Sequence, residues 1–253
     1  SGEGADEFFG GYNIYKEPFT VTWYDKIPLP IRRAIGAVAD LLPPVHGINF
    51  LVRRGKPLAE RYIGNTNLMD EHRKKKLLKN YRPGKLPTDL SRPYFELSKG
   101  QDAVTQMETC DLNLWMVGDI LLKADKMSMA NSLELRVPYL DREVFREAET
   151  YPVSYKLRGD TKAVLRTAAN KTLPDAWANR TKKGFPVPIA KWLEDPEFSA
   201  KVRKSFAGDV AGEYFDQDKL LAMLDDPKHE RRKIWTAYTF LTWHEQFFEK
   251  FDA

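Results

Sequence analysis

The sequence predicts a mainly α-helical fold. Apolar residues recur at helical spacing along most of the chain, and no segment alternates polar and apolar residues long enough to make a strand. Pro and Gly stand where the helical pattern stops. Of 253 residues, 42% are hydrophobic and 30% charged, the proportions of a globular chain rather than a disordered one. No repeat and no linker-like stretch interrupts it, so residues 1–253 read as one domain.

Taken in order, Ala5 to Tyr15 is expected as a short helix, with Asp6 and Glu7 in the first turn, where acids suit the positive end of the helix dipole. Pro28 to Leu42 is a helix with Pro near its start and Pro43-Pro44 as its stop. Leu58 to Ile63 and Leu68 to Tyr81 are further helices. Arg82 to Pro93 holds three prolines and is expected as loop. Gln101 to Val117 is apolar at helical spacing through Val104, Met107, Leu112, Leu114 and Trp115; Gly118 is expected to break it, and Asp119 to Asn131 to resume. Asp141 to Thr150 and Lys162 to Lys171 follow as helices. The last, Lys228 to Lys250, carries an aromatic stripe (Trp235, Tyr238, Trp243, Phe247, Phe248) that is expected to be core.

Composition removes several classes. With 40 Lys+Arg against 36 Asp+Glu the net charge is +4, too small for a dedicated nucleic-acid binder. The basic run His72-Arg73-Lys74-Lys75-Lys76 reads as a solvated helix face. Mean hydropathy is −0.53 and no run of about 18 apolar residues exists, which excludes a transmembrane helix. The one cysteine, Cys110, excludes an intrachain disulfide and a Cys-based zinc site, fits a reducing compartment and hence a cytoplasmic protein, and sits where a buried thiol is expected. His46, His72, His229 and His244 have no partner at metal-ligand spacing and are expected to be structural or exposed.

Three clusters could carry chemistry. Ser1-Gly2-Glu3-Gly4-Ala5-Asp6-Glu7 sets three carboxylates beside two glycines, followed by Gly10-Gly11, which lets another backbone approach closely. So acidic a loop would repel a phosphate unless Mg²⁺ bridged them, and it could equally hold an ammonium group; a tight turn with first-turn acids is the plain alternative. Arg180-Thr181-Lys182-Lys183-Gly184-Phe185-Pro186 is a fixed basic loop, suited to a leaving pyrophosphate or simply exposed. Asp119 to Asp141 interleaves charges with apolar residues, and Glu134 with Arg136 could form a buried structural pair. The loop begins at the first residue, which is not Met, so the chain is expected to be a piece of a longer protein or to lack upstream residues.

In this order the clusters resemble one family. Ser1 to Tyr12 is similar to a signature of the glutamine-hydrolysing asparagine synthetases; Leu121 to Ala130, Ser132 to Asp141, Lys162-Ala163-Val164-Leu165-Arg166 and Arg180 to Phe185 follow as they do there. The likeness spans residues 1–190, with 191–253 as a variable helical tail. It implies the helical C-terminal part of an α/β synthetase domain of the ATP-pyrophosphatase kind, without its nucleotide-binding parallel sheet, its pyrophosphate loop or a glutaminase domain.

The resemblance implies ATP-dependent adenylation of aspartate and attack by glutamine-derived ammonia, giving asparagine, AMP and pyrophosphate, with this piece alone inactive. Glu3 would contact aspartate or take the proton of the attacking ammonia, and Lys182 would stabilise the pyrophosphate; these are the implied catalytic residues. Ser1, Gly2 and Gly4 would shape the pocket, Asp6 would bind Mg²⁺, and Glu134 with Arg136 would support the site from behind. The implied partners are aspartate, ATP, ammonia from a separate glutaminase domain and a second copy in a homodimer, with no nucleic acid and no membrane. β-Lactam synthetases and other amide-forming relatives share the scaffold but adenylate a different carboxylate. A non-enzymatic interaction module built on Arg73 to Lys76 is the reading from another class.

Overall fold

A computed structural model describes residues 1–42, 47–64, 69, 71–82, 84–182, 184 and 187–249. The chain is mainly helical, as its patterning predicts, and no strand is formed among the described residues; one antiparallel bridge joins Leu78 to Phe215. No described helix is long and apolar enough to cross a membrane. The chain packs as two compact units, 1–66 with 85–181, and 67–84 with 182–253.

The first unit is organised by a continuous helical run. Ala103–Cys110 is α-helical, Asp111–Leu121 widens to a π-helix, and Leu122–Met129 returns to α, with right-handed backbone at both joins. Asp102 starts the run by accepting hydrogen bonds from the Val104 and Thr105 amides at 2.9 and 3.1 Å. The break expected at Gly118 does not occur. Glycine weakens a helix interior by about 1 kcal/mol relative to alanine, too little to end one whose other residues pack. Val104, Met107 and Cys110 are buried with Tyr15, Tyr62 and Phe95 in one core, and Phe8, Phe9 and Ala148 form another.

Two further expectations are corrected here. The first helix spans only Ala5–Phe8, because Gly10 adopts a left-handed backbone (φ +68°); the chain then resumes as the 3₁₀ helix Asn13–Phe19. The segment read as loop contains the helix Pro87–Leu97, which begins on a proline. A first-turn proline lacks only an N–H that the helix would leave unpaired, and Asp89 accepts from the Leu86 amide at 2.9 Å. The stop at Pro43-Pro44, the start of the helix drawn from Leu68, and His46 lie outside the described residues.

In the second unit the helices Pro196–Phe206, Asp209–Tyr214, Gln217–Ala222 and Pro227–His244 bury Val202, Phe206, Ala211, Leu220, Ile234 and Leu241. The helix Glu71–Leu77 joins them through Leu77, with hydrogen bonds from the Lys79 amide to the Tyr214 carbonyl (2.9 Å) and from the Asp216 amide to the Leu77 carbonyl (2.8 Å). His72, Arg73, Lys75 and Lys76 are exposed on that helix, as a solvated face requires. The aromatic stripe is core only in part. Trp235 and Tyr238 pack on the core, whereas Trp243, Phe247 and Phe248 are 46%, 59% and 51% exposed. Trp243 is already exposed within the α-helix Pro227–His244, and beyond it Phe247 lies in a π-turn over Glu245–Glu249, where the α-helical spacing behind the expected stripe no longer holds.

Candidate active site

The acidic loop owes its shape to its glycines. Gly4 has φ +93°, a left-handed backbone, and a Cβ there would lie 2.4 Å from Leu140 Cδ2. The loop is thereby seated on the segment Val137–Asp141, and the Ser1 nitrogen donates to the Arg136 carbonyl at 2.7 Å. Gly11 is needed for a second close approach. A Cβ at Gly11 would fall 1.8 Å from Asp6 Oδ1, and the Gly11 amide donates to the Asp6 carbonyl at 2.7 Å. Two motifs more than a hundred residues apart in sequence therefore meet at this loop.

Ser1 and Gly2 are exposed, Glu3 and Asp6 are half-buried, and Gly4 is buried. Asp6 is partnered by Lys162, whose Nζ lies 3.0 Å from Asp6 Oδ1. Lys162 is not among the residues the sequence singles out; its signal is that it opens the stretch Lys162 to Arg166 of the family likeness. Glu7 turns inward. The Tyr12 hydroxyl donates to Glu7 Oε1 at 2.6 Å, and the Trp115 indole donates to that hydroxyl at 3.3 Å. Burial pushes the Glu7 carboxyl above its ordinary range, opposed by the Tyr12 hydrogen bond.

Below this loop lie two more buried carboxylates that the sequence did not single out. Asp111 Oδ2 accepts from the Tyr15 hydroxyl at 2.5 Å and from the Tyr62 hydroxyl, and burial raises the carboxyl to about 6. Glu108 Oε2 accepts from Lys156 Nζ at 2.9 Å, and burial lifts Glu108 to about 7 against the pull of that lysine. A cavity of about 640 Å³ opens beside this pair, lined by Glu7, Phe8, Glu108, Phe145 and Lys156. Of the residues in the clusters expected to carry chemistry, Glu7 lines it, whereas Glu3, Asp6 and Lys182 do not.

Glu134 and Arg136 do pair, at 2.5 Å, but their side chains are 71% and 84% exposed. The buried pair expected from sequence is instead a surface pair, because alternation over Leu133 to Val137 does not become a strand with an inner face. Lys182 is exposed and belongs to the other unit; Lys183, Phe185 and Pro186 lie outside the described residues. His72 and His229 are exposed, and His244 meets Tyr214 edge-on, ring centroids 5.4 Å apart. Cys110 is buried, its thiol pushed up to about 12 by burial first and the Asp111 charge second.

Among the described residues no group of three His, Cys, Asp or Glu could hold a metal alone. Mg²⁺ is commonly held by only one or two carboxylates together with water and substrate phosphates, so it does not need such a group of three.

The sequence profile described as asparagine synthase matches residues 1–245. Glutamine-hydrolysing asparagine synthetase 1 of Bacillus subtilis is 43% identical over 99% of this chain and 40% of its own length. A Mycobacterium tuberculosis protein provisionally given the same function is 42% identical over 98% of the chain and 39% of its own length. Asparagine synthetase 3 of Bacillus subtilis is 29% identical over 77% of the chain and 28% of its own length. The chain thus spans about two fifths of the length of the two more similar curated relatives. No solved structure matches it.

Proposed function

From the premise that the chain belongs to the asparagine synthase family, we propose that the protein carrying it forms an amide from aspartate, ATP and ammonia. In the first step a side-chain carboxylate oxygen of aspartate attacks the α-phosphorus of ATP, and pyrophosphate leaves. In the second, ammonia adds to the acyl carbon, loses a proton, and AMP departs with its bonding electrons.

Charge decides where each residue acts. Glu3, half-buried on the acid loop, would hold the aspartate ammonium or accept the proton lost by ammonia. Lys182 would meet the negative charge that develops on the departing pyrophosphate. Asp6 would hold Mg²⁺, which supplies neutralisation of the phosphate charge. Ser1 and Gly2, both exposed, would line the pocket, and Gly4, buried against Leu140, would shape it by fixing the turn. Glu134 and Arg136 would support the loop through the Arg136 backbone, which accepts from the Ser1 nitrogen.

The observation that carries this reading is the seating of the acid loop. Gly4, with a left-handed backbone pressed on Leu140 more than a hundred residues away, ties the loop to a distant motif, which an ordinary turn with first-turn acids would not require. The test is aspartate-dependent ATP–pyrophosphate exchange by the complete protein with Mg²⁺ present. Exchange with aspartate is expected, and Lys182→Ala should lower its rate about 10²–10³-fold, the usual loss when one transition-state charge partner is removed. Exchange with a different carboxylate, and none with aspartate, would move the assignment to an amide-forming relative.

A further inference from the structure

The motif Lys162-Ala163-Val164-Leu165-Arg166 has two cations one helical turn apart, and only the first touches the acid loop. Lys162 caps the helix Ala163–Ala169 with a left-handed backbone, φ +56°, a region that non-glycine residues seldom adopt. Arg166 faces elsewhere. Its Nε donates to the Thr161 carbonyl at 3.0 Å, and its Nη1 donates to the carbonyls of Ala178 at 3.2 Å and Arg180 at 3.0 Å. Nη2 lies 3.7 Å from Asp160 Oδ2, and the side chain is only 15% exposed.

The carbonyls that Arg166 gathers are ones secondary structure leaves unserved. Ala178 ends the short helix Asp175–Ala178, so its carbonyl has no partner further along that helix. Arg180 stands in the irregular stretch beyond it. A planar guanidinium with five donors can serve three carbonyls in different directions, whereas an ammonium is a point charge on a flexible stem. The segment so held leads directly into Lys182, two residues on, and carries cations that repel one another.

We propose that Arg166 is a positioning residue for the basic loop: its guanidinium fastens the backbone at Ala178 and Arg180 to Thr161, and so fixes the point from which Lys182 reaches the departing pyrophosphate. This rests on the role given to Lys182 above. A reacting group misplaced by about 1 Å can lower a rate on the order of 10²-fold, so a backbone anchor two residues away is felt in catalysis without touching substrate.

Hydrogen-exchange mass spectrometry and pyrophosphate-exchange kinetics on the complete protein, as wild type, Arg166→Ala and Arg166→Lys, test it. In Arg166→Ala the amides of 178–182 should exchange about tenfold faster while the helix Ala103–Cys110 keeps its protection. The exchange kcat should fall about 10- to 100-fold, with KM for ATP moving less than about threefold. Arg166→Lys should behave like Arg166→Ala. Unchanged protection of 178–182 in Arg166→Ala, or restoration of both readouts by Lys, overturns the proposal. If Arg166→Ala does not fold, Arg166→Gln, which retains one donor group, takes its place with the same expected pattern. If the wild type shows no aspartate-dependent exchange, the functional reading fails, and protection of 178–182 still decides whether Arg166 anchors that backbone.

Discussion

The two compact units bury different things. Every buried polar or charged side chain among the described residues lies in the unit of 1–66 and 85–181: Glu7, Arg54, Glu108, Asp111, Lys156 and four hydroxyl residues. The other unit buries only apolar side chains, and charge pairs such as Lys219–Asp216 and His229–Asp226 stay on its surface. Buried polar groups are destabilising unless each finds its partner. Glu108 and Asp111 on the run Ala103–Met129, with Lys156 and with Glu7 of the acid loop, carry that cost where a loop must be held in one shape. Apolar packing alone tolerates rearrangement more readily.

The sharpest test of this contrast removes one member of a buried pair. Lys156→Met leaves Glu108 uncompensated and should lower stability by about 3–5 kcal/mol in chemical denaturation. Adding Glu108→Leu should recover most of the loss, since an apolar pair of similar volume is often as stable as the buried ion pair it replaces. In the other unit Phe206→Ala should cost about 3–5 kcal/mol as well, but through a cavity, with no charged partner whose removal repairs it. The contrast breaks if Lys156→Met costs under about 1 kcal/mol, or if the double variant is no better than the single.

The same contrast governs what the sequence disclosed. Of the second unit only the last helix and the basic helix near Glu71 were read individually, through local amphipathic spacing, and Ile234 and Leu241 are buried on the former; Pro196–Phe206, Asp209–Tyr214 and Gln217–Ala222 were covered only by the expectation of a helical tail. The acid loop was legible because glycines beside carboxylates mark a close approach, and Gly4 and Gly11 make such approaches. The buried network was not. Tyr15 and Tyr62 reach Asp111 across 96 and 49 residues, and Lys156 reaches Glu108 across 48, distances over which no local pattern carries information. Within Gln101 to Val117 the apolar residues announced a helix, and nothing in the pattern marked Glu108 and Asp111 as buried in it. Proline misled where it opens a helix, as at Pro87, and glycine misled where a helix passes through it, as at Gly118.

A second test uses pH. Burial raises Glu108 to about 7 and Asp111 to about 6, above their ordinary values of 4.5 and 3.8. The native state then holds protons that the unfolded chain has released. Stability from these groups is complete below the ordinary carboxylate values and is lost as pH rises through about 6 to 7, by an amount on the order of a few kcal/mol. In the second unit the sign reverses. Hydrogen bonds from Lys219 and His229 hold Asp216 and Asp226 below their ordinary value, so their small contribution is present above it and is lost as pH falls. Native-state hydrogen exchange between pH 4.5 and 7.5 should show the opening free energy of Val104–Cys110 declining as pH rises. That of Ile234–Leu241 should stay level. Glu108→Gln should flatten most of the first slope, and parallel slopes in the two helices would sink the assignment.

The smallest expected effect belongs to the pair that sequence placed inside and the fold places outside. Arg136→Ala removes a guanidinium that is 84% exposed, and pairs of that kind are worth about 0–1 kcal/mol. The change should therefore move the denaturation midpoint by little, because the Ser1 nitrogen binds the Arg136 carbonyl, which the substitution keeps. Leu140→Ala makes the useful comparison. It withdraws the side chain on which Gly4 is seated and should loosen the acid loop even though Leu140 carries no charge. If Arg136→Ala leaves stability alone but lowers pyrophosphate exchange as much as Leu140→Ala does, the exposed side chain acts on substrate or on its approach. If it changes neither, the segment serves the site through its backbone and through Leu140, and the charge pair at its surface is incidental to both.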